Sequence, residues 1–486
     1  MLDLEESNSS EAICLCEGKD LPRGTKYITL SHCWGSYAIV TLEKGTLITF
    51  KSMIPLSDLP QTFRDAVVMT KRLGVRYLWI DSLCIIQDSA EDWQRESARM
   101  WEIYTYSSLN LAATGSSDGT GGLFRVRDPL SAKLLKAKAT WTGLQPGDYY
   151  CLDYFDWNRE MDESPLIARA WVMQERLLAP RVLHFGRDQL YWECAVFDAS
   201  ETFPEGLPNT RRARFKNWEL RKTSADPLYQ SSPDFVLGNA WWQLVTVYTR
   251  ASLTKDGDKL VAISGVAKQM QNRFAETNIY LAGLWKTNLV YQLPWSTSAT
   301  EFGARPETYR APSWSWASVD GVISSPHILS SYRTQVLAQV LEAYTIPVAD
   351  PMGQVRSGSI RLRGRLCRAA LKMKGPLPLE ISLYSLDKTT YLGGASLDTD
   401  AGWLGAGTER EVHCMPMFQE RTSHGREMNG VLIEPTNFKR GQFRRIGSFR
   451  LLQDSCSRFD ELAFNAASLE HYEEFDGVDQ SVISLT

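Results

Sequence analysis

Apolar residues in the first half of the chain alternate between short unbroken runs and stretches of helical spacing. Lys26–Ser31 is a short run of buried-strand character that ends in Cys33-Trp34-Gly35, where the chain must turn. Over Gln61–Leu73, Phe63, Ala66, Val67, Thr70 and Leu73 recur at helical spacing. Pro60 stands at the entry and Gly74 follows the last apolar position, so a helix is predicted there. Val75–Ile80 is a second β-rich run, with Asp81 at its end. Glu91–Tyr106 carries Trp93, Met100, Ile103, Tyr104 and Ser107 on one stripe and is predicted as a single amphipathic helix. Leu109–Thr114 is a third strand, closed by the glycine-rich Gly115–Gly122. Residues 125–165 read as an irregular insertion with a hairpin around Thr140–Leu152. Ala168–Leu178 is a further helix, and Arg181–Phe185 and Gln189–Glu193 are further strands.

Strand–helix–strand–helix–strand order predicts a mainly parallel sheet with helices on both faces. The later half is different. Trp241–Arg250 and Lys259–Phe274 read as helices, and Tyr280–Lys286 and Ser313–Ala317 are rich in tryptophan. These segments are expected to pack as a helical layer on the first domain. Ser359–Leu371 and the stretches near 378–393 and 429–452 alternate as strands do. The expected division is a tail over 1–20, an α/β domain over 21–195, a linker or irregular segment over 196–235, a helical Trp-rich region over 236–330, a β-rich region over 331–470 and an acidic, disordered tail over 471–486.

Composition narrows the function classes. The 486 residues are 43% hydrophobic and 23% charged, ordinary for a globular protein. A net charge of −4 gives no electrostatic reason to expect nucleic acid as a partner. The basic run Arg211–Lys216 is short and lies in polar surroundings, so it reads as a solvated loop. No apolar run approaches the about 20 residues of a membrane helix, and no secretory signal is visible, which points to the cytoplasm. Nine scattered cysteines form no paired C-x-x-C unit, and six histidines show no ligand spacing, so free thiols and no metal site are expected.

In an open parallel sheet, ligands bind beyond the carboxyl ends of the strands. That edge is predicted to receive Ser31, Trp34 and Gly35 after the first strand and Asp81 and Gln87 after the second. Arg169, Trp171 and Glu175 of the later helix are within reach of it. Trp171 and Glu175 lie one helical turn apart on one face. A carboxylate beside an indole suits a site where positive charge develops on a sugar. The competing reading is an amphipathic core helix with a solvated glutamate. Glu96, three residues beyond Trp93, is the rival acid, with an alternative as a surface partner of Arg95 or Arg99. Asp81 serves equally as a turn cap, Gln87 as a loop brace and Trp34-Gly35 as a structural turn. His32 and Cys33 read as residues that orient or pack the turn.

The blocks Tyr27-Ile-Thr-Leu-Ser-His-Cys-Trp-Gly35, Leu59–Gly74, Tyr77-Leu-Trp-Ile-Asp-Ser-Leu-Cys-Ile-Ile-Gln87 and Arg169-Ala-Trp-Val-Met-Gln-Glu-Arg-Leu-Leu178 occur in this order. In this they resemble the fungal heterokaryon-incompatibility (HET) domain over roughly residues 20–195. Ala311–Ser318 is similar to a tract often seen downstream of that domain. The HET domain in turn resembles, remotely, the Toll/interleukin-1 receptor (TIR) domain, a flavodoxin-like fold. Tyr27–Ser31 is similar to its first strand, Leu78–Asp81 to its second, and Ala170–Leu177 to its Trp-Cys-x-x-Glu-Leu pattern. Here Val172 replaces the cysteine and Arg176 follows the glutamate. The resemblance implies a role in self/non-self recognition and regulated cell death. It also implies NAD hydrolysis with Glu175 as the catalytic residue, NAD being substrate rather than cofactor. The alternative is a non-catalytic module that assembles with itself or with an allelic protein partner.

Overall fold

The computed structural model describes residues 1–5, 11–35, 39–139, 142–143, 145–151, 156–208, 216, 233–274, 278–298, 302–325, 334–373, 381–400, 409–422, 425–463, 472–476 and 480–486. The chain divides into two compact units, Met1–Arg221 and Lys222–Thr486.

In the first unit the elements follow in order β1 (Leu2–Asp3), β2 (Ala12–Leu15), β3 (Tyr27–Ser31), α1 (Leu47–Ser52), β4 (Ile54–Pro55), α2 (Gln61–Arg72), β5 (Tyr77–Ile80) and α3 (Asp81–Cys84). They continue with α4 (Ala90–Ser97), α5 (Met100–Thr105), β6 (Leu109–Ala112), β7 (Leu135–Ala139), β8 (Gly147–Cys151), α6 (Asp156–Asp162), α7 (Ala170–Leu178), β9 (Arg181–Phe185), β10 (Leu190–Cys194) and β11 (Asp198–Ser200). One nine-stranded sheet runs β11-β10-β9-β6-β3-β5-β1-β2-β4. The four central strands are parallel, with Ile28 opposite both Leu78 and Leu109. The flanking pairs are antiparallel.

The sheet is therefore mixed rather than mainly parallel. Phe185 to Leu190 and Cys194 to Asp198 are joined by loops too short for a parallel crossover, so these strands must turn back as hairpins. Residues 1–20, expected as a tail, add β1 and β2 to the other side. The apolar Leu2, Ala12 and Ile13 are buried there, and the buried Asp3 carboxylate is held by Arg76 at 2.8 Å.

Helices cover both faces. Ile28, Leu30, Leu78, Ile80 and Leu111 join Phe63, Ala66 and Val67 of α2 in one core. On the other face Trp79, Ala112 and Val182 join Met100 and Tyr104 of α5 and Val172 and Leu178 of α7. This is the period-two alternation of strands buried on both sides. The single helix expected over 91–106 is two, α4 and α5. The chain tightens where the Arg99 amide donates to the Glu96 carbonyl at 3.0 Å, and a new helix starts at Met100. The expected hairpin is β7–β8, although residues 140, 141, 144 and 152 lie outside the described residues. Of the basic run, Arg211–Phe215 lie outside them too. Lys216 is described and is not solvated: its Nζ donates to the Ala179 carbonyl, and burial lowers the amine to about 8.

The second unit combines the helices Pro233–Tyr248 and Val261–Phe274 with a β-rich region. Trp241, Trp285, Trp295, Trp314 and Trp316 are fully buried among these segments. Six strands close into an antiparallel ring: Glu409–Thr422 pairs Cys367–Met373, which pairs Ile381–Tyr384. That strand pairs Tyr391–Leu397, then Gln442–Leu452, then Gly425–Pro435, which returns to Glu409–Thr422. Cys367, Ala369, Leu371 and Met373 alternate into its core. In the last stretch, the described residues 472–476 and 480–486 are not a disordered tail. Ser481–Leu485 pairs antiparallel with Val355–Gly364, because Val482, Ile483 and Leu485 can be buried there.

Arg445, at 0% exposure, ties the ring to the Trp-rich segment. It meets Asp398 at 2.5 Å, donates to the Leu293 carbonyl at 3.2 Å and to that of Trp295, and lies 3.5 Å over the Trp295 ring. Removing one partner of a buried ion pair strands the other. Arg445→Met is expected to destabilise the second unit by about 3–5 kcal/mol. Chemical denaturation of the full chain, followed by tryptophan fluorescence, checks it; an unchanged transition would show that the contact is dispensable.

Candidate functional site

The order of the parallel strands sets the location. The chain passes from β3 to β5 on one side, then crosses back to β6 on the other. The edge formed by the carboxyl ends of β3 and β6 is a topological switch point, the position at which open α/β sheets place ligands. Ser31 ends β3, and Ala112, its register partner, ends β6.

Helix α7 delivers the carboxylate. Eight of its nine residues are buried, including the consecutive Gln174, Glu175 and Arg176, so this is not an amphipathic helix with a solvated polar face. Each charge it carries needs an internal partner. Glu175, 4% exposed, accepts from Ser31 Oγ. Ser31 Oγ in turn accepts from Asn110 Nδ2 at 2.9 Å, and Asn110 Oδ1 accepts from Thr29 Oγ1 at 3.0 Å. A buried file Thr29–Asn110–Ser31–Glu175 thus runs from the middle of the sheet to its carboxyl edge. Burial raises the Glu175 carboxyl to about 7, with the nearby Asp81 carboxylate in the same direction. Arg169, Ser31 and Tyr104 act against this rise.

The second strand end supplies Asp81. Its Oδ2 accepts from Trp34 Nε1 at 2.9 Å and its Oδ1 from the Ser82 amide at 2.7 Å. His32 Nδ1 lies 3.6 Å from Oδ1. Burial lowers His32 to about 4 and raises Cys33 to about 11, so both are neutral near pH 7. The His32 ring packs edge-on against Phe63. Arg169, at the entry of α7, donates to the His32 carbonyl and so fixes the helix start to the turn after β3.

Gly35 has φ 68°, and a Cβ there would stand 2.3 Å from that of Asp118. This glycine permits close approach of the β3 turn to the glycine-rich loop after β6. Gln87 braces its own loop, with Nε2 donating to the carbonyls of Asp81 at 3.1 Å and Ile85 at 3.0 Å. Trp171 is half-buried and meets Trp93 edge-on at 6.4 Å.

Ser31, Trp34, Gly35, Asp81, Arg169 and Glu175 therefore converge on one sheet edge, with Gln87 behind them. Glu96 does not join them. It lies within 3.1 Å of Arg95 and 3.7 Å of Arg99, in a separate cleft of 570 Å³ shared with Lys51, Trp79 and Cys84. Asn110, Thr29 and Tyr104 were not singled out as site residues from the sequence. The signal for Asn110 was present: an amide inside the apolar Leu-Asn-Leu-Ala run must find a partner when that strand is buried. Among the described residues, no group of three or more His, Cys, Asp or Glu is placed to hold a metal ion.

Residues 27–175 match the family model of the heterokaryon incompatibility protein (HET), a span from the first residue of β3 to Glu175 itself. This part of the chain is a HET domain. No curated protein and no solved structure matches the chain.

The buried carboxyl makes stability depend on pH. Folded Glu175 keeps its proton to about pH 7, whereas an unfolded glutamate releases it near 4.5. Between those values the folded state binds more protons, so stability falls as pH rises and falls no further above the folded value. Glu175→Gln removes this loss. Its stability relative to the wild type should rise by about 3 kcal/mol between pH 4.5 and pH 8, at ~1.4 kcal/mol per tenfold change in proton affinity. Urea denaturation at both pH values is the measurement, and a constant difference would contradict the assigned burial.

Proposed function

We propose that this HET-domain protein acts in fungal self/non-self recognition and regulated cell death, by glutamate-dependent hydrolysis of an NAD-like dinucleotide in the cytoplasm. The observation that carries the reading is the Glu175 carboxylate held by Ser31 at the switch-point edge. The parallel strand order, second-first-third-fourth, is that of flavodoxin-like sheets and supports the TIR comparison.

The chemistry needs little from the protein. The nicotinamide–ribose C–N bond breaks and its electron pair leaves with nicotinamide, which departs as a neutral pyridine. No general acid is required. The ribosyl cation forms beside the Glu175 carboxylate, whose charge stabilises it. Water adds to the anomeric carbon and releases a proton. Only the ionised carboxylate serves; Arg169, Ser31 and Tyr104 favour it, and against the burial they leave the carboxyl ionising at about pH 7. Trp34 and Asp81 stand at the rim, where Asp81 retains 20% side-chain exposure and can meet a ribose hydroxyl.

One observation favours a second reading. At 4% exposure the Glu175 carboxylate is covered, which suits a structural tie between α7 and β3 in a non-catalytic assembly module. In the catalytic reading the cover must open, and self-association or binding of an allelic partner is the proposed trigger.

Incubation of the purified protein with NAD, alone and as a forced oligomer, separates the two. The catalytic reading expects nicotinamide release that rises with pH through about 7, and a fall of about 10²–10³ in rate in Glu175→Gln. Equal rates in wild type and variant, or silence in the forced oligomer, would favour the assembly module.

A further inference from the structure

Directly after Glu175 a second buried polar file begins, which the proposed chemistry does not use. Arg176 grips Glu193 of β10 with both arms of its guanidinium, Nε to Oε2 at 2.7 Å and Nη2 to Oε1 at 2.5 Å. Glu193 Oε2 also lies 3.0 Å from His184 Nε2, on β9. His184 Nδ1 lies 2.9 Å from Thr114 Oγ1. Thr114 directly precedes the glycine-rich loop Gly115–Gly122, whose first amide donates to the Phe185 carbonyl at 2.8 Å.

The protonation states follow from the partners. Burial opposes ionisation of Glu193, but Arg176 and His184 override it and hold the carboxyl far below its usual range. Burial keeps His184 neutral. With a carboxylate at Nε2, the imidazole carries its proton there, leaving Nδ1 as acceptor for the Thr114 hydroxyl. Threonine, histidine and glutamate in this order resemble an activated nucleophile. Thr114 and His184 are 0% exposed and Glu193 is 1% exposed, so no substrate reaches the hydroxyl. What the file does join is α7, which bears Glu175, to the loop at the end of β6.

We propose that Arg176, Glu193, His184 and Thr114 form a positioning relay that sets Glu175 and the glycine-rich loop in one fixed relation at the sheet edge. The fork fixes α7 against β10 in both rotation and height, because two parallel N–H···O bonds define a plane where a single ammonium would not. The histidine carries that constraint across β9 to Thr114. The inference rests on the catalytic reading only in naming Glu175 as the group positioned.

The test therefore reads the ionisation of Glu175 rather than product. In full-length protein with ¹³C-labelled glutamate, the Glu175 carboxyl resonance is identified by its loss in Glu175→Gln and followed with pH. Arg176→Lys keeps the charge and loses the fork. Thr114→Val keeps the bulk and loses the hydroxyl. Neither changes the net charge, so a Coulombic shift is not expected. Misalignment of Ser31 and Arg169 should raise the Glu175 midpoint by about half a pH unit or more in each variant. Thr114→Ser should restore the wild-type midpoint. Lower melting temperatures with unchanged midpoints would overturn the relay and leave a purely structural network. If Thr114→Val does not fold, Arg176→Lys alone decides by the same criterion. Absence of NAD cleavage would not touch this result, since the midpoint exists without turnover.

Discussion

The first unit depends on how one helix is buried. Helix α7 is enclosed on almost every side, yet its centre reads Gln174-Glu175-Arg176. Water is not available to these groups, so the surroundings must supply what solvent would. The two charged neighbours are answered in opposite ways. Arg176 meets a carboxylate in a bidentate fork, which holds Glu193 ionised. Glu175 meets a hydroxyl, a phenol and a guanidinium, and desolvation still raises its proton affinity. One helix thus carries a settled ion pair and, one residue earlier, an acid poised near neutrality. The strands that receive them, β3 and β10, lie on either side of β6 and β9, so the polar groups on α7 reach across half of the sheet.

Much of the first unit was legible because its periods are strong. The runs at 27–31, 75–80, 109–114 and 181–185 became central strands, and the Pro60-to-Gly74 punctuation bounded α2 to within a residue or two. The flanks were harder. β1 and β4 are two residues long and β2 only four, too short to show alternation, and they exist because an edge strand was available to pair with. The break between α4 and α5 falls within a stripe that stays apolar throughout, so periodicity could not mark it. In the second unit, alternation flagged strands correctly but could not tell that they close into a ring, since closure depends on pairing Tyr391–Leu397 with Gln442–Leu452 far along the chain.

For the site, strand-end logic collected residues that are distant in sequence, because a parallel sheet brings all such ends to one edge. It could not rank two acids of similar context. Glu96 and Glu175 each follow a tryptophan on a helix; Glu96 pairs with its sequence neighbours Arg95 and Arg99, the alternative the local sequence offered, whereas only tertiary packing brings Glu175 to Ser31. That Asn110 needs a partner was readable, but which groups Asn110 and His184 meet was not. Hydrogen-bond partners across neighbouring strands are set by register, which a single sequence does not state.

The closed ring of the second unit also bears on how its sequence can drift. In an open sheet, a one-residue insertion can be discharged by slippage at a free edge. A ring has none, so every insertion shifts the phase of inward and outward side chains around the whole circuit unless it is absorbed on the spot. Among the described residues the ring carries three register irregularities, which take up Met417, Leu392 and Ile446 as extra residues. These kinks behave as expansion joints. Length changes in descendants of this sequence should accumulate at them and in the connecting loops, while the stretches between keep an even count.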